Sequence, residues 1–272
     1  MRASATFGAG AIVCLTATFS WADARISVLV DVLKLREVTE LLAEEGVAQS
    51  QSLNEEMMEG RGGASWAAQV SRIYAPDRMA EHVRAALADA LSGDLLEEVI
   101  AFYASPLGVE IINLETAARR AIQDSAVEDA ARNRFRELAE TDDPRLDLVT
   151  ALIDSGDMIN FNLSSAINAD YQFLRGLADG KAIEMTEAEM LADVAQDADA
   201  ITTDTTEWLS GYMLLAYHPL SDDELFSYVT FSETKAGQRL NTALFSGFGA
   251  AYEDISYALG RVVALNITAD AL

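Results

Sequence analysis

Cysteine is almost missing from this 272-residue chain, with Cys14 the only one. A lone thiol near the N-terminus leaves no disulfide framework and no set of thiolate metal ligands. Lysine is nearly as scarce, at Lys34, Lys181 and Lys235, and 44 acidic residues against 19 basic ones give a formal net charge of −25. Such a surface repels phosphate backbones and anionic headgroups, which excludes nucleic acid as a partner. The acidic, lysine-poor balance reads as a solvated surface suited to solubility or salt, ahead of a functional acid patch. Histidine occurs only as His82 and His218, with Met79 and Leu215 three positions before them. Carboxylate-bridged metal sites in helical bundles want glutamate at that spacing, so a di-iron centre lacks its ligands. Apolar runs are short as well. No uninterrupted stretch of about 20 apolar residues exists, so the chain is not expected to be an integral membrane protein. No glycine-rich loop opens a helix in the phosphate-binding frame, and no cofactor is implied.

What the chain does contain is apolar bulk, with 50% hydrophobic residues against 23% charged, ample for a large core. Its first 24 residues read as a secretory signal: Arg2, a run from Ala5 to Phe19, and Ala22-Asp23-Ala24 as a small-x-small cleavage site. Cleavage after Ala24 and a periplasmic location are expected. Cys14 lies in that run, but bulky Val13 stands where a lipoprotein signal wants glycine or alanine, which argues against a lipid anchor. The mature chain then has no cysteine, and its charge is unchanged because the segment removes only Arg2 and Asp23.

Spacings of three and four dominate the rest, and no segment alternates with period two, so the mature chain is expected to be all-α. One helix is predicted from Arg25 to Glu59, interrupted but not ended by Gly46, with a loop at Arg61-Gly62-Gly63 and a short helix holding Trp66, Val70 and Ile73. Asp77 to Leu91 returns to helical period with Met79, Val83 and Leu87 on one side. A single long helix is predicted after Gly108, with Ile111, Ile112, Ala118, Ile122, Val127 and Ala131 inward and Arg119, Arg120, Arg132, Arg134 and Arg136 outward. Asp143 followed by Pro144 is a start signal for the next helix. Thr186-Glu187-Ala188-Glu189 is a capping box expected to open a helix running to Tyr217, and the C-terminal helix should run from Gly237 to about Ile267.

One stretch occurs twice. Phe102-Tyr103-Ala104-Ser105-Pro106-Leu107-Gly108 returns as Phe231-Ser232-Glu233-Thr234-Lys235-Ala236-Gly237, at an offset of 237 − 108 = 129 positions. At the same offset Ser92 meets Ser221, both read as helix caps, and Glu224 adds a capping box to the second. Pro106 is expected to break the first copy sharply, and Lys235 to leave the second break softer. The chain therefore reads as a signal peptide, 1–24, and two related helical repeats, 25–141 and 142–272, packed as one helical bundle.

The segment from Asp94 to Gly108 resembles the core motif of a bacterial domain-of-unknown-function family, number twenty fifty-nine, whose hallmark is Glu-Leu near a helix start followed by Phe-Tyr-x-Ser/Thr-Pro-x-Gly. Phe102, Tyr103, Ser105, Pro106 and Gly108 are in place, although Leu96-Glu97 reverses the acidic pair. The second copy keeps Glu224-Leu225, Phe231, Thr234 and Gly237 but lacks the tyrosine and the proline. The resemblance covers roughly 35 residues per copy, about one helical hairpin. It implies an exported helical protein and brings no activity with it.

Phe102, Phe231, Leu96 and Leu225 read most simply as core anchors where the halves meet, with Gly108 and Gly237 allowing the turn. The sharper alternative is a groove for a peptide helix or lipid chain, built on Glu98, Phe102, Tyr103, Ser105, Pro106, Gly108, Phe231 and Gly237. The preferred function is a binding or accessory module for another envelope protein or peptide. One alternative is a hydrolase using Ser221 with His218, although no G-x-S-x-G elbow exposes that serine. Another is a low-affinity divalent-cation binder through Asp193, Asp197 and Asp199 or Asp222, Asp223 and Glu224, which lack the D-x-D-x-D-G frame. No catalytic residue and no metal ligand is assigned.

Overall fold

A computed structural model of the protein describes residues 21–269, and among these residues there are thirteen helices and no strand. The first half contributes α1 (Trp21–Val32), α2 (Leu35–Met58), α3 (Gly63–Ile73), α4 (Pro76–Ala90), α5 (Gly93–Tyr103), α6 (Pro106–Ala121) and α7 (Ser125–Ala139). The second contributes α8 (Pro144–Ser155), α9 (Met158–Asp179), α10 (Glu187–Gln196), α11 (Ala198–Tyr217), α12 (Asp222–Glu233) and α13 (Lys235–Ala269). The expected signal segment lies outside the described residues up to position 20. The boundary expected at 141/142 falls in the turn between α7 and α8.

The start signals act as their chemistry requires. Asp143 accepts from the Arg145 and Leu146 amides with Pro144 in the first turn of α8. Thr186 and Ser221 both complete reciprocal capping boxes, with Glu189 and Glu224. Ser92 differs: it stands at the N-cap of α5 but its hydroxyl caps no amide.

Three expected helices are each broken once. The predicted 25–59 helix stops at Val32, and Lys34 turns left-handed (φ 49°) while its ammonium reaches Asn113 on α6 at 2.6 Å. The long helix after Gly108 ends at Ala121, and Asp124 caps a new one by accepting from Ala126. Asp197 likewise divides the predicted 186–217 helix into α10 and α11. The fourth departure concerns the repeated turn. Ser105 and Thr234 have nearly the same backbone, φ −70° ψ 160° and φ −67° ψ 160°, so the second break is as sharp as the first without a proline. In each, the hydroxyl accepts from the glycine amide three residues on, at 3.1 Å. A Cβ on either glycine would fall on the carbonyl oxygen of Phe102 or Phe231. The cap and the bare glycine make the turn, and Pro106 merely occupies the first helical position, where its missing N–H costs nothing.

Packing follows a common plan in the two halves. α1 lies against α4 and α5, as α8 lies against α11 and α12, while α2 packs on α4 as α9 packs on α11. The halves then embrace: α13 crosses α4, and α6 and α7 flank α11. Small residues allow these approaches. Gly247 sits on the backbone of Val83, Gly211 on that of Ala131, and Gly176 and Gly260 bring α9 onto α13. Met79, Val83 and Leu87 form the buried stripe of α4, as their spacing requires, each stabilising the fold by roughly 1.5–3 kcal/mol. α13, 35 residues and about 52 Å long at 1.5 Å per residue, is the spine to which both halves attach.

Candidate functional site

Phe102 of α5 and Phe231 of α12 meet face to face, with ring centroids 3.8 Å apart and planes 5° from parallel. Tyr103 presents its edge to Phe231 at 5.8 Å, the geometry that ring quadrupoles favour. Beside this stack lies a cavity of about 360 Å³. Its wall comes from Tyr103 on α5, Ile112, Glu115 and Arg119 on α6, Trp208 to Tyr217 on α11, Tyr228 to Ser232 on α12, and Gly237 to Phe248 on α13. The α8–α9 junction closes one side with Gly156, Met158 and Asn162. A smaller space of about 220 Å³ continues past Ile112, Glu115 and Tyr212 toward Leu41 and Leu42 on α2.

Positions 129 apart line the larger cavity together: Tyr103 with Ser232, Ile112 with Asn241, Glu115 with Leu244, and Arg119 with Phe248. Two of these pairs set a charged side chain against an apolar one, Glu115 against Leu244 and Arg119 against Phe248, while Ile112 against Asn241 runs the other way. Glu115 is half-buried and faces the interior. Its Oε1 accepts from the Tyr217 hydroxyl at 2.7 Å and from the Tyr228 hydroxyl at 3.3 Å, and its backbone carbonyl accepts from Tyr212 at 3.0 Å. A phenol has one proton to give, so with Tyr228 donating to Glu115, the Tyr103 hydroxyl 3.4 Å away donates to Tyr228. Burial raises the Glu115 carboxyl above the ordinary carboxylate range, partly offset by the Tyr217 and Tyr228 hydroxyls. Burial, reinforced by the charge of Glu115, pushes all four tyrosines upward, so they stay neutral donors. Arg119 is engaged elsewhere. It grips both oxygens of Glu45 from α2 and lies 5.2 Å from the Trp208 ring centroid. Its expected outward position is thus corrected: the inward turn of α6 carries it to the cavity wall, where Glu45 and an aromatic face accommodate the guanidinium.

Of the residues considered for a groove, Tyr103, Phe231 and Gly237 reach the cavity, and Phe102 backs it through the ring stack. Ser105 and Gly108 build the turn, while Glu98 and Pro106 point to solvent. The residues that define the polar wall, Glu115, Tyr212, Tyr217 and Tyr228, were signalled only by position. Ile111, Glu115, Ala118 and Ile122 recur at spacings of four, three and four, which puts a carboxylate on a buried stripe.

Ser221 and His218 do not assemble. The Ser221 hydroxyl donates to Glu224 at 2.6 Å and accepts from its amide, while exposed His218 makes no hydrogen bond among the described residues. The Tyr217 carbonyl at the end of α11 accepts from Arg145, which also pairs with Asp222. His82 pairs with Asp254 at 3.2 Å, linking α4 to α13. Among the described residues no group of three or more His, Cys, Asp or Glu side chains is placed to hold a metal ion, so neither aspartate cluster converges. No described helix is long and apolar enough to cross a membrane.

No curated protein and no solved structure matches this chain. Residues 77–137, a segment that opens at α4, ends in α7 and carries both Tyr103 and Glu115, match the model of the bacterial family described as Uncharacterized protein conserved in bacteria (DUF2059).

Proposed function

We propose that this is an exported binding protein that takes a small, largely apolar molecule into the cavity between its two halves. The observation that carries it is the cavity itself, about 360 Å³ and walled mainly by aromatic and aliphatic side chains with a few convergent polar groups. Small-molecule sites are built this way, in the range of roughly 300–1,000 Å³. A space of this size takes a small ligand, so an envelope protein or peptide would meet the outside of the fold and act as donor or acceptor of that ligand. Export rests on the N-terminal signal, and cleavage after Ala24 would leave Arg25 as the first residue of the periplasmic protein. The shared packing plan and matching turns support descent of the two halves from one duplicated helical unit.

Titration with N-phenylnaphthylamine, whose emission rises in apolar surroundings, tests the cavity. Saturable binding is expected, together with its loss in Leu244→Trp, which fills the space from the apolar wall while circular dichroism stays helical. Absence of saturable binding, or binding indifferent to Leu244→Trp, would remove this reading.

A further inference from the structure

The protein leaves one charge in the cavity unanswered. Both tyrosine bonds to the Glu115 side chain end on Oε1. Oε2 accepts no hydrogen bond from the described residues, and none of their buried side-chain polar atoms lacks a partner, so Oε2 opens onto the cavity. The cation in the wall, Arg119, is already committed to Glu45. Once a ligand fills the cavity and displaces water, an ionised carboxylate there is costly unless a counter-charge and hydrogen bonds reach it.

Three ligand chemistries could meet Oε2. A carboxylate would add a second negative charge beside Glu115, inside a chain of net charge −25. An alcohol could donate one hydrogen bond but would leave the charge uncompensated. A protonated amine does both, and aromatic rings such as Tyr103, Tyr217 and Tyr228 attract a cation further. The protein's field also concentrates cations and turns anions away. Building on the cavity reading above, we infer that the ligand is an organic amine with an apolar body, its ammonium donating to Glu115 Oε2 and its body lying along the Leu244 wall.

Octylamine, octanol and octanoate, equal in chain length, separate these chemistries by displacement of N-phenylnaphthylamine from the full chain. Octylamine is expected to bind at least about tenfold more tightly than octanol, the ratio a charge-assisted hydrogen bond supplies, with octanoate the weakest. Glu115→Gln should bring octylamine down to the level of octanol. Should Glu115→Gln not fold, the wild-type protein still decides the matter through pH. Across the raised carboxyl range of Glu115 the amine preference should fall toward one as the pH drops, while octanol binding stays level. The other groups facing this site are Tyr103, Tyr212, Tyr217 and Tyr228, neutral throughout, and the Arg119–Glu45 pair, which does not touch Oε2. Equal binding of octylamine and octanol, or an amine preference that survives both Glu115→Gln and low pH, would overturn the amine. If the naphthylamine probe itself finds no site, the failure belongs to the cavity reading instead.

Discussion

The two hairpins, α5–α6 and α12–α13, share one backbone turn and differ in what they send into the cavity. Ser105 with Gly108 and Thr234 with Gly237 make the same hydroxyl-to-amide bond at the same distance. Beyond the turn, the helix of the first hairpin presents Ile112, Glu115 and Arg119 to the space, where the second presents Asn241, Leu244 and Phe248. The turn geometry is shared while the side chains beyond it differ, most sharply at Glu115 against Leu244. A symmetric cavity would carry two carboxylates or none; this one has a carboxylate and an aliphatic side chain at matched positions, which suits a ligand with unlike ends. The tyrosines that serve Glu115 are unequal as well. Tyr228 lies at the position matched by Val99, which is fully buried and apolar.

Restoring symmetry should cost most. Leu244→Glu would place a second carboxylate in the same space, where Arg119, the cation lining it among the described residues, is already paired with Glu45. A loss of about 3–5 kcal/mol is expected from urea unfolding at neutral pH, since a buried charge without a partner is penalised on that scale. Lowering the pH should recover part of that loss, as the added carboxyl protonates. Changing the other wall has the opposite sign. Because burial raises the Glu115 carboxyl, its contribution to stability is complete below the carboxyl value of the unfolded chain and is lost as pH rises through the folded value. Glu115→Gln should therefore be the more stable protein at pH 7 without ligand, with the difference shrinking as pH falls through the raised folded value and gone below about 4.5, the ordinary glutamate value. A mutant less stable than wild type at pH 7, and equally so at low pH, would show Glu115 to be a structural anchor rather than a ligand group.

Much of this architecture is legible where local chemistry decides it. Asp143-Pro144, Thr186 with Glu189, and Ser221 with Glu224 name their helix starts, because each satisfies amides within four residues of itself. The breaks at Lys34 and Asp197 are harder. Lys34 adopts a left-handed backbone without being glycine, and its ammonium reaches Asn113 on α6 as well as nearby Glu37; the long-range bond is one that no local pattern announces. Asp124 before Ser125 was a readable cap, hidden by inward residues that keep helical spacing across it. In the cavity, Tyr103 and Phe231 came with the repeated motif. Glu115 did not, since one more acid in a chain with 44 of them looks solvated unless its place on the stripe of Ile111 and Ile122 is weighed.

The matched turns yield the next effect in size. Gly108→Ala and Gly237→Ala each drive a Cβ into a backbone carbonyl rather than into a movable side chain, so relief requires the hairpin to open. Each should cost about 1–3 kcal/mol, the usual range for forcing atoms into a filled site, and the two losses should be equal within error by urea unfolding. A large inequality would mean that one turn is looser than its partner. The smallest effect concerns proline. If capping hydroxyl and glycine make the turn, then Pro106→Ala removes only the entropy that the ring withholds from the unfolded chain, a loss of about 0.4–1 kcal/mol. Lys235→Pro is the sharper half of the experiment, because Lys235 opens α13 as Pro106 opens α6, and a first-turn amide is not needed by the helix. It should be tolerated or stabilising by a similar amount. A loss above about 2 kcal/mol from Lys235→Pro would show that the second turn needs its amide or its lysine, and the two hairpins would no longer count as one design.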